Sequence, residues 1–225
     1  MKKFITTAPR QWVMPRGSEN ILLYDSDTPE LNCDIRTPFP IIPMVNGYVT
    51  DGEAFQLIVI TAHGEEQGNC SEDNYIIINE EIKQIAQRKG SVCQVVKIEI
   101  PLNESLDTHL ETFRKLIELV QQGDILYTDI TYGTKTLPLI EMMSLNYAYQ
   151  CKGASVKCVC YGEAVFDRDT HAIIRKKLYN ITSLFLMDQI VNTLAKTDTA
   201  DPLRAIESVL KIRSSIDSPI DEWEE

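Results

Sequence analysis

Ile125-Leu126-Tyr127-Thr128-Asp129-Ile130-Thr131-Tyr132-Gly133-Thr134-Lys135-Thr136-Leu137-Pro138 is the stretch whose reading decides the fold. Ile125 to Tyr127 reads as a buried strand, and the apolar residues from Leu137 to Tyr149 read as a helix. The loop between a strand end and a helix start gathers unpaired backbone N–H groups, and here it adds one glycine and one lysine. That combination is suited to holding an anionic phosphate.

Working outward, the same alternation repeats. Phe55 to Thr61 is an apolar run of the kind found in a strand covered on both faces. A polar loop from His63 to Asn74 follows, then helical spacing at Ile78, Ile82 and Ile85 that stops before Gly90. Val92 to Ile100 is strand-like, and Leu106, Leu110, Phe113, Ile117 and Val120 mark an amphipathic helix ended by Gly123. Val156 to Tyr161 is a further strand. Strands alternating with helices predict an α/β, Rossmann-like, mostly parallel sheet with helices on both faces. The all-round apolar helix from Leu137 suits the inside of such a sandwich or a dimer interface.

The flanks are less regular. Phe4 to Thr7 predicts a first strand, while residues 9–40 carry five prolines and read as an irregular excursion with a hairpin near Ile21 to Tyr24. Ile41 to Val49 reads as an edge strand because of Pro43. Phe166-Asp167-Arg168-Asp169-Thr170-His171 reads as a polar hairpin turn. Leu184, Met187, Val191 and Leu194 predict a helix, and Asp201-Pro202 starts a last one carrying Leu203, Ile206 and Leu210. The expected organisation is a domain over residues 1–182, a short C-terminal helical extension over 183–213, and an acidic tail over 214–225. A docking motif at Trp223 is an alternative role for that tail.

Composition narrows the function classes. A net charge of −11 argues against extended nucleic acid as partner, though not against a small anion held in a local pocket. No apolar run of about 18 residues is present, so a membrane span is not expected. The start at Met1-Lys2-Lys3 lacks the apolar length of a secretory signal, and a cytoplasmic location is expected. The six cysteines form no C-x-x-C pair, which reads as buried thiols rather than a metal site. No metal or cofactor is expected.

Two loops qualify for the carboxyl edge of the sheet, where ligands of open parallel sheets bind: Thr6-Thr7-Ala8-Pro9-Arg10 and Thr131 to Thr136. A Thr-rich helix cap beside a surface lysine is the plain alternative. Asp129-Ile130-Thr131-Tyr132-Gly133, followed by Thr134-Lys135-Thr136-Leu137-Pro138, resembles the D-x-T-H-G signature of CRISPR-associated Rossmann-fold (CARF) proteins. Lys3-Phe4-Ile5-Thr6-Thr7 and Leu178-Tyr179-Asn180-Ile181-Thr182-Ser183-Leu184 are similar to the opening and closing segments of that family. The resemblance implies a two-fold homodimer that binds cyclic oligoadenylate, a tetra- or hexa-adenylate ring, across its axis. It implies contacts from Thr6, Thr7 and Arg10 in one loop, and from Thr131, Tyr132, Gly133, Thr134, Lys135 and Thr136 in the other. The family histidine is Tyr132 here, which removes a group that titrates near neutral pH.

Many CARF proteins add an effector such as a HEPN ribonuclease with R-x4-6-H, and none of His63, His109 or His171 lies at that spacing. Two readings follow from the resemblance. One is a metal-independent ring nuclease with Lys135, Thr7 and Tyr132 as catalytic candidates; the other is a sensor acting on a separate effector. A generic nucleotide-binding enzyme is the third, without a G-x-G-x-x-G or Walker lysine motif to support it. Glu81-Ile82-Lys83 reads as a solvated helix face, His63 as a loop residue able to face the pocket, and His109 as a surface residue.

Overall fold

Phe55 to Ile60 are all buried, as only a strand covered on both faces allows. That strand sits second in a six-stranded sheet. A computed structural model describes residues 1–13, 23–64, 68–168, 173–197 and 201–208. Its strands are β1 (Lys2–Thr7), β2 (Ala54–His63), β3 (Val92–Pro101), β4 (Ile125–Asp129), β5 (Ser155–Phe166) and β6 (Ile173–Asn180), in the order β3-β2-β1-β4-β5-β6. All neighbours pair in parallel except β5 and β6, which form the predicted antiparallel hairpin. Residues 169–172 of its turn lie outside the described residues.

The helices are α1 (Ile41–Tyr48), α2 (Ser71–Arg88), α3 (Leu106–Leu119), α4 (Leu137–Lys152) and α5 (Thr182–Lys196). Right-handed crossovers in this strand order place α1 and α2 on one face and α3 and α4 on the other. Contacts within each of those two pairs agree with that placement. The fold is the predicted Rossmann-like α/β sandwich. At the amino ends of the strands, the buried Lys3 ammonium meets Asp124 Oδ2 at 2.9 Å. Burial works against the Asp124 charge, but the Gln121 N–H and Lys3 together hold its carboxyl below the usual range.

Several expectations need correction. Residues 41–48 form α1, not an edge strand. Pro43 is the third helical residue, where the missing N–H would have had no intrahelical partner. Ile41, Ile42, Met44 and Val45 are all fully buried, so the run is apolar because it is a covered helix. The polar segment before Asn74 is shorter than predicted, because α2 already begins at Ser71. Its first turn looks loop-like for a reason: Ser71 Oγ donates to Ala8 O, and Asn74 Nδ2 donates to Pro9 O and Gln11 O, both at 2.8 Å.

Of the hairpin expected near Ile21 to Tyr24, Ile21 and Leu22 lie outside the described residues. Just beyond it, Asp25 makes a parallel bridge to Lys177 along β6, with N–H···O distances of 3.1 and 2.8 Å. Glu81 is half-buried rather than solvated, accepting from Thr37 Oγ1 at 2.7 Å, and burial pushes its carboxyl up. The Thr37 carbonyl in turn accepts from the buried Lys176 ammonium, which lies 4.9 Å from the Tyr24 ring centre. Burial pulls Lys176 down to about 8. Helix α4 buries one side only; Leu139, Met143 and Tyr149 are exposed. Cys158 and Cys160 are packing residues of the core, as expected, whereas Cys151 is exposed and Cys33, Cys70 and Cys93 are half-buried.

Residues Met1–Thr182 form one compact unit and Ser183–Glu225 a second. In the second, α5 runs to Lys196, and residues 202–208 are helical with the Arg204 N–H donating to Asp201 Oδ1 at 3.0 Å. Leu210, Trp223 and the acidic tail lie outside the described residues. Among the described residues, no helix is long and apolar enough to cross a membrane.

Gly47 of α1 lies against the 3₁₀ turn Pro29–Leu31, and a Cβ there would fall 1.6 Å from Glu30 O. Gly47→Ala gains about 1 kcal/mol of helix propensity. Backbone cannot yield as a side chain does, so the net effect is a loss of about 1–3 kcal/mol. Urea unfolding of the two proteins measures it.

Candidate functional site at the crevice between β1 and β4

Chain order departs in opposite directions from β1 and β4, which are neighbours. β1 leads over one face to β2, and β4 leads over the other to β5. Their carboxyl ends therefore part and leave a crevice. Asp129, the last residue of β4, lies beside Thr6 in the register. Thr6 Oγ1 donates to Asp129 Oδ2 at 2.9 Å, while the Thr131 N–H and Oγ1 donate to Oδ1 at 3.0 and 2.5 Å. Thr131 Oγ1 also accepts from the Gly162 N–H of β5 at 2.7 Å. One buried carboxylate thus ties three strands to the turn. Burial pushes the Asp129 carboxyl above its usual range, and the bonds from Thr131 and Thr6 oppose that.

The turn itself needs Gly133, whose φ of 120° lies in the left-handed region that side chains rarely adopt. A Cβ there would also come within 3.1 Å of Leu137. Opposite the turn, the loop after β1 is held by α2 through Ser71 and Asn74, and the Cys70 N–H donates to Arg10 O at 2.7 Å. Between the two loops opens a cleft of about 460 Å³ lined by Arg10, Asn69, Tyr132, Gly133 and Thr134, among others. Behind the turn is a cavity of about 30 Å³, walled in part by Thr7, Arg10, Glu104, His109 and Thr136. That volume fits a water or a single ligand oxygen.

The site residues expected from the sequence gather here, in different states. Arg10, Gly133 and Thr134 line the cleft. Thr6 and Thr131 hold Asp129, and Thr7 Oγ1 lies 3.0 Å from Glu141 Oε1. The Tyr132 hydroxyl donates to Pro38 O at 2.8 Å, and its ring packs on the core. Burial pushes its phenol up. Thr136 Oγ1 donates to Glu104 Oε2 and lies 3.2 Å from Thr134 Oγ1. Lys135 is exposed at the turn, with no hydrogen bond or ion pair among the described residues.

His63 is exposed at the end of β2 and lines neither cavity. His109 is the correction: it is half-buried, walls the small cavity and lies 3.2 Å from Glu104 Oε2. Sequence reasoning passed over Glu104 and Glu141 as well. One signal was present for Glu104, since the loop after β3 must reach the same rim as those after β1 and β4. The bond from Thr136 holds the Glu104 carboxyl below its usual range, against a smaller effect of burial.

No protein-family model matches this chain. Over 112 residues it is 29% identical to the CRISPR-associated protein MJ1674 of Methanocaldococcus jannaschii, an alignment covering 44% of this chain. The match spans only 18% of that longer relative.

Asp129→Asn is expected to cost about 1–3 kcal/mol, because an amide nitrogen cannot accept from Thr6 or Thr131. Denaturant unfolding tests this. A pH effect follows from Asp129 and Glu141, whose folded carboxyls both lie above their unfolded values. Their contribution to stability is full below the ordinary carboxylate range and is lost as pH rises toward the folded values. The thermal midpoint should therefore fall as pH rises above the ordinary carboxylate range. Scanning calorimetry over a pH series measures the slope.

Proposed function

We propose that the chain is a CARF-type protein that binds cyclic oligoadenylate across a homodimer axis and cleaves it. The observation that carries this reading is the meeting of the Thr6–Arg10 loop and the Thr131–Thr136 turn at one cleft, with Arg10, Gly133 and Thr134 on its walls. Those are the two segments that the D-x-T-H-G resemblance designates. The CRISPR-associated relative adds independent support. Exposed Leu139 and Met143, one turn apart on α4 just after the binding turn, supply an apolar face for pairing with a second copy.

In the proposed reaction a ribose 2′-oxygen of the ring attacks the adjacent phosphorus in line. The 2′-O–P bond forms, the P–5′-O bond breaks, the 2′-hydroxyl loses its proton and the departing 5′-oxygen gains one. The products are linear and end in a 2′,3′-cyclic phosphate. Lys135 supplies charge to the phosphorane oxygens, and Arg10 and Thr134 place the phosphates. Thr6 and Tyr132 act by holding the turn, since their hydroxyls are occupied within the fold. That same occupancy favours a second reading, in which the ring is held without being cut and binding is relayed to a separate effector.

The test is incubation with cyclic tetra-adenylate and cyclic hexa-adenylate, followed by chromatography of the products. Linear products insensitive to chelator, with a rate that drops about a hundredfold in Lys135→Ala, are expected. Tight binding with an intact ring selects the sensor, and failure to bind either ring overturns both readings.

A further inference from the structure

The two buried acids of the crevice are not equivalent. Asp129 accepts on both oxygens. Glu141, wholly buried on α4, shares one oxygen with Thr7, while its Oε2 has no hydrogen-bond partner among the described residues. A carboxylate has about four acceptor sites and no donor, and so sparse a set of partners suits a neutral acid far better than an anion. The groups that face Glu141 agree. Asp129 on β4 and the Cys160 thiol on β5 lie against it, β1 contributes the uncharged Thr7, and among the described residues no cation perturbs it. Burial, reinforced by Asp129, drives its carboxyl well above the usual range against the bond from Thr7.

Thr7 stands between this acid and the small cavity, whose wall it forms together with Arg10, Glu104 and His109. A hydroxyl has one hydrogen to give. Were Glu141 ionised, Thr7 would have to donate to it and would offer only lone pairs to the cavity. The 3.0 Å separation of Thr7 Oγ1 and Glu141 Oε1 serves either direction of donation. We propose that Glu141 is a positioning residue kept as a neutral acid, donating to Thr7 Oγ1 so that the Thr7 hydroxyl donates in turn to a phosphate oxygen of the bound ring. This rests on the ligand reading given above and assigns that site a proton-controlled donor.

The experiment measures the affinity of the full chain for cyclic tetra-adenylate and cyclic hexa-adenylate from about pH 6 to pH 9. Wild type should weaken about tenfold or more as pH rises, the loss of one charge-assisted hydrogen bond. Glu141→Leu should be weak throughout. Glu141→Gln, whose amide always donates, should restore binding with a flat profile, and His109→Gln should keep the wild-type slope. Binding by Glu141→Gln as weak as that by Glu141→Leu, or a wild-type slope that survives in Glu141→Gln, overturns the inference and leaves ring binding standing. Absence of binding to either ring at every pH overturns the ligand reading and the inference together. Carbon-13 spectra of glutamate-labelled wild type need no folded variant. Finding no glutamate carboxyl still protonated at pH 7 also overturns the inference.

Discussion

A carboxylate sealed between strands has to be satisfied locally, and the crevice is organised around meeting that demand at Asp129. Its two oxygens take donors from β1, from the turn after β4 and, through Thr131, from β5. Together these bonds fix the turn Thr131–Thr134, which forms one wall of the cleft. The turn has its shape because Thr131 must reach back to Asp129 while the chain continues forward into α4. Gly133 supplies the backbone conformation that this reversal requires.

The opposite wall is shaped by a different device. Ser71 and Asn74, on the first turn of α2, bind the carbonyls of the loop after β1 and hold Arg10 at the opening. Two polar side chains thereby replace the sheet bonds that the chain gives up when it leaves β1. Both walls are preorganised by internal hydrogen bonds. Most of the hydroxyls look inward, and Lys135 is left as the cation of the turn exposed to an incoming anion.

How much of this could be read from the chain alone depended on where physical periodicity was strong. β2 declares itself as an unbroken apolar run long enough to cross a sheet covered on both faces, and α3 by apolar residues spaced three and four apart. α1 was hidden because a short run buried on all sides carries no period, and Pro43 spoke against a helix only if its position within the helix was unknown. The beginning of α2 was hidden because Ser71, Glu72, Asp73 and Asn74 have the composition of a loop. For the site, the strand-turn-helix at Asp129 was legible as a phosphate candidate, and the pairing of its loop with that after β1 was too. The roles of single hydroxyls were not legible, since only the register of β1 on β4 reveals which carboxyl each one meets. Glu104, His109 and Glu141 come from helices and a loop distant in sequence, so no local pattern could bring them together.

The backbone bridge from Asp25 to the outer side of β6 has a consequence for assembly. An uncovered border strand is a template on which another molecule can continue the sheet. On this side the chain has capped its own template with Asp25, and the ion pair of Lys177 with Asp27 guards the same margin at 2.8 Å. Growth of a shared sheet between molecules is thereby steered away from the hairpin, toward β3 or toward helix surfaces.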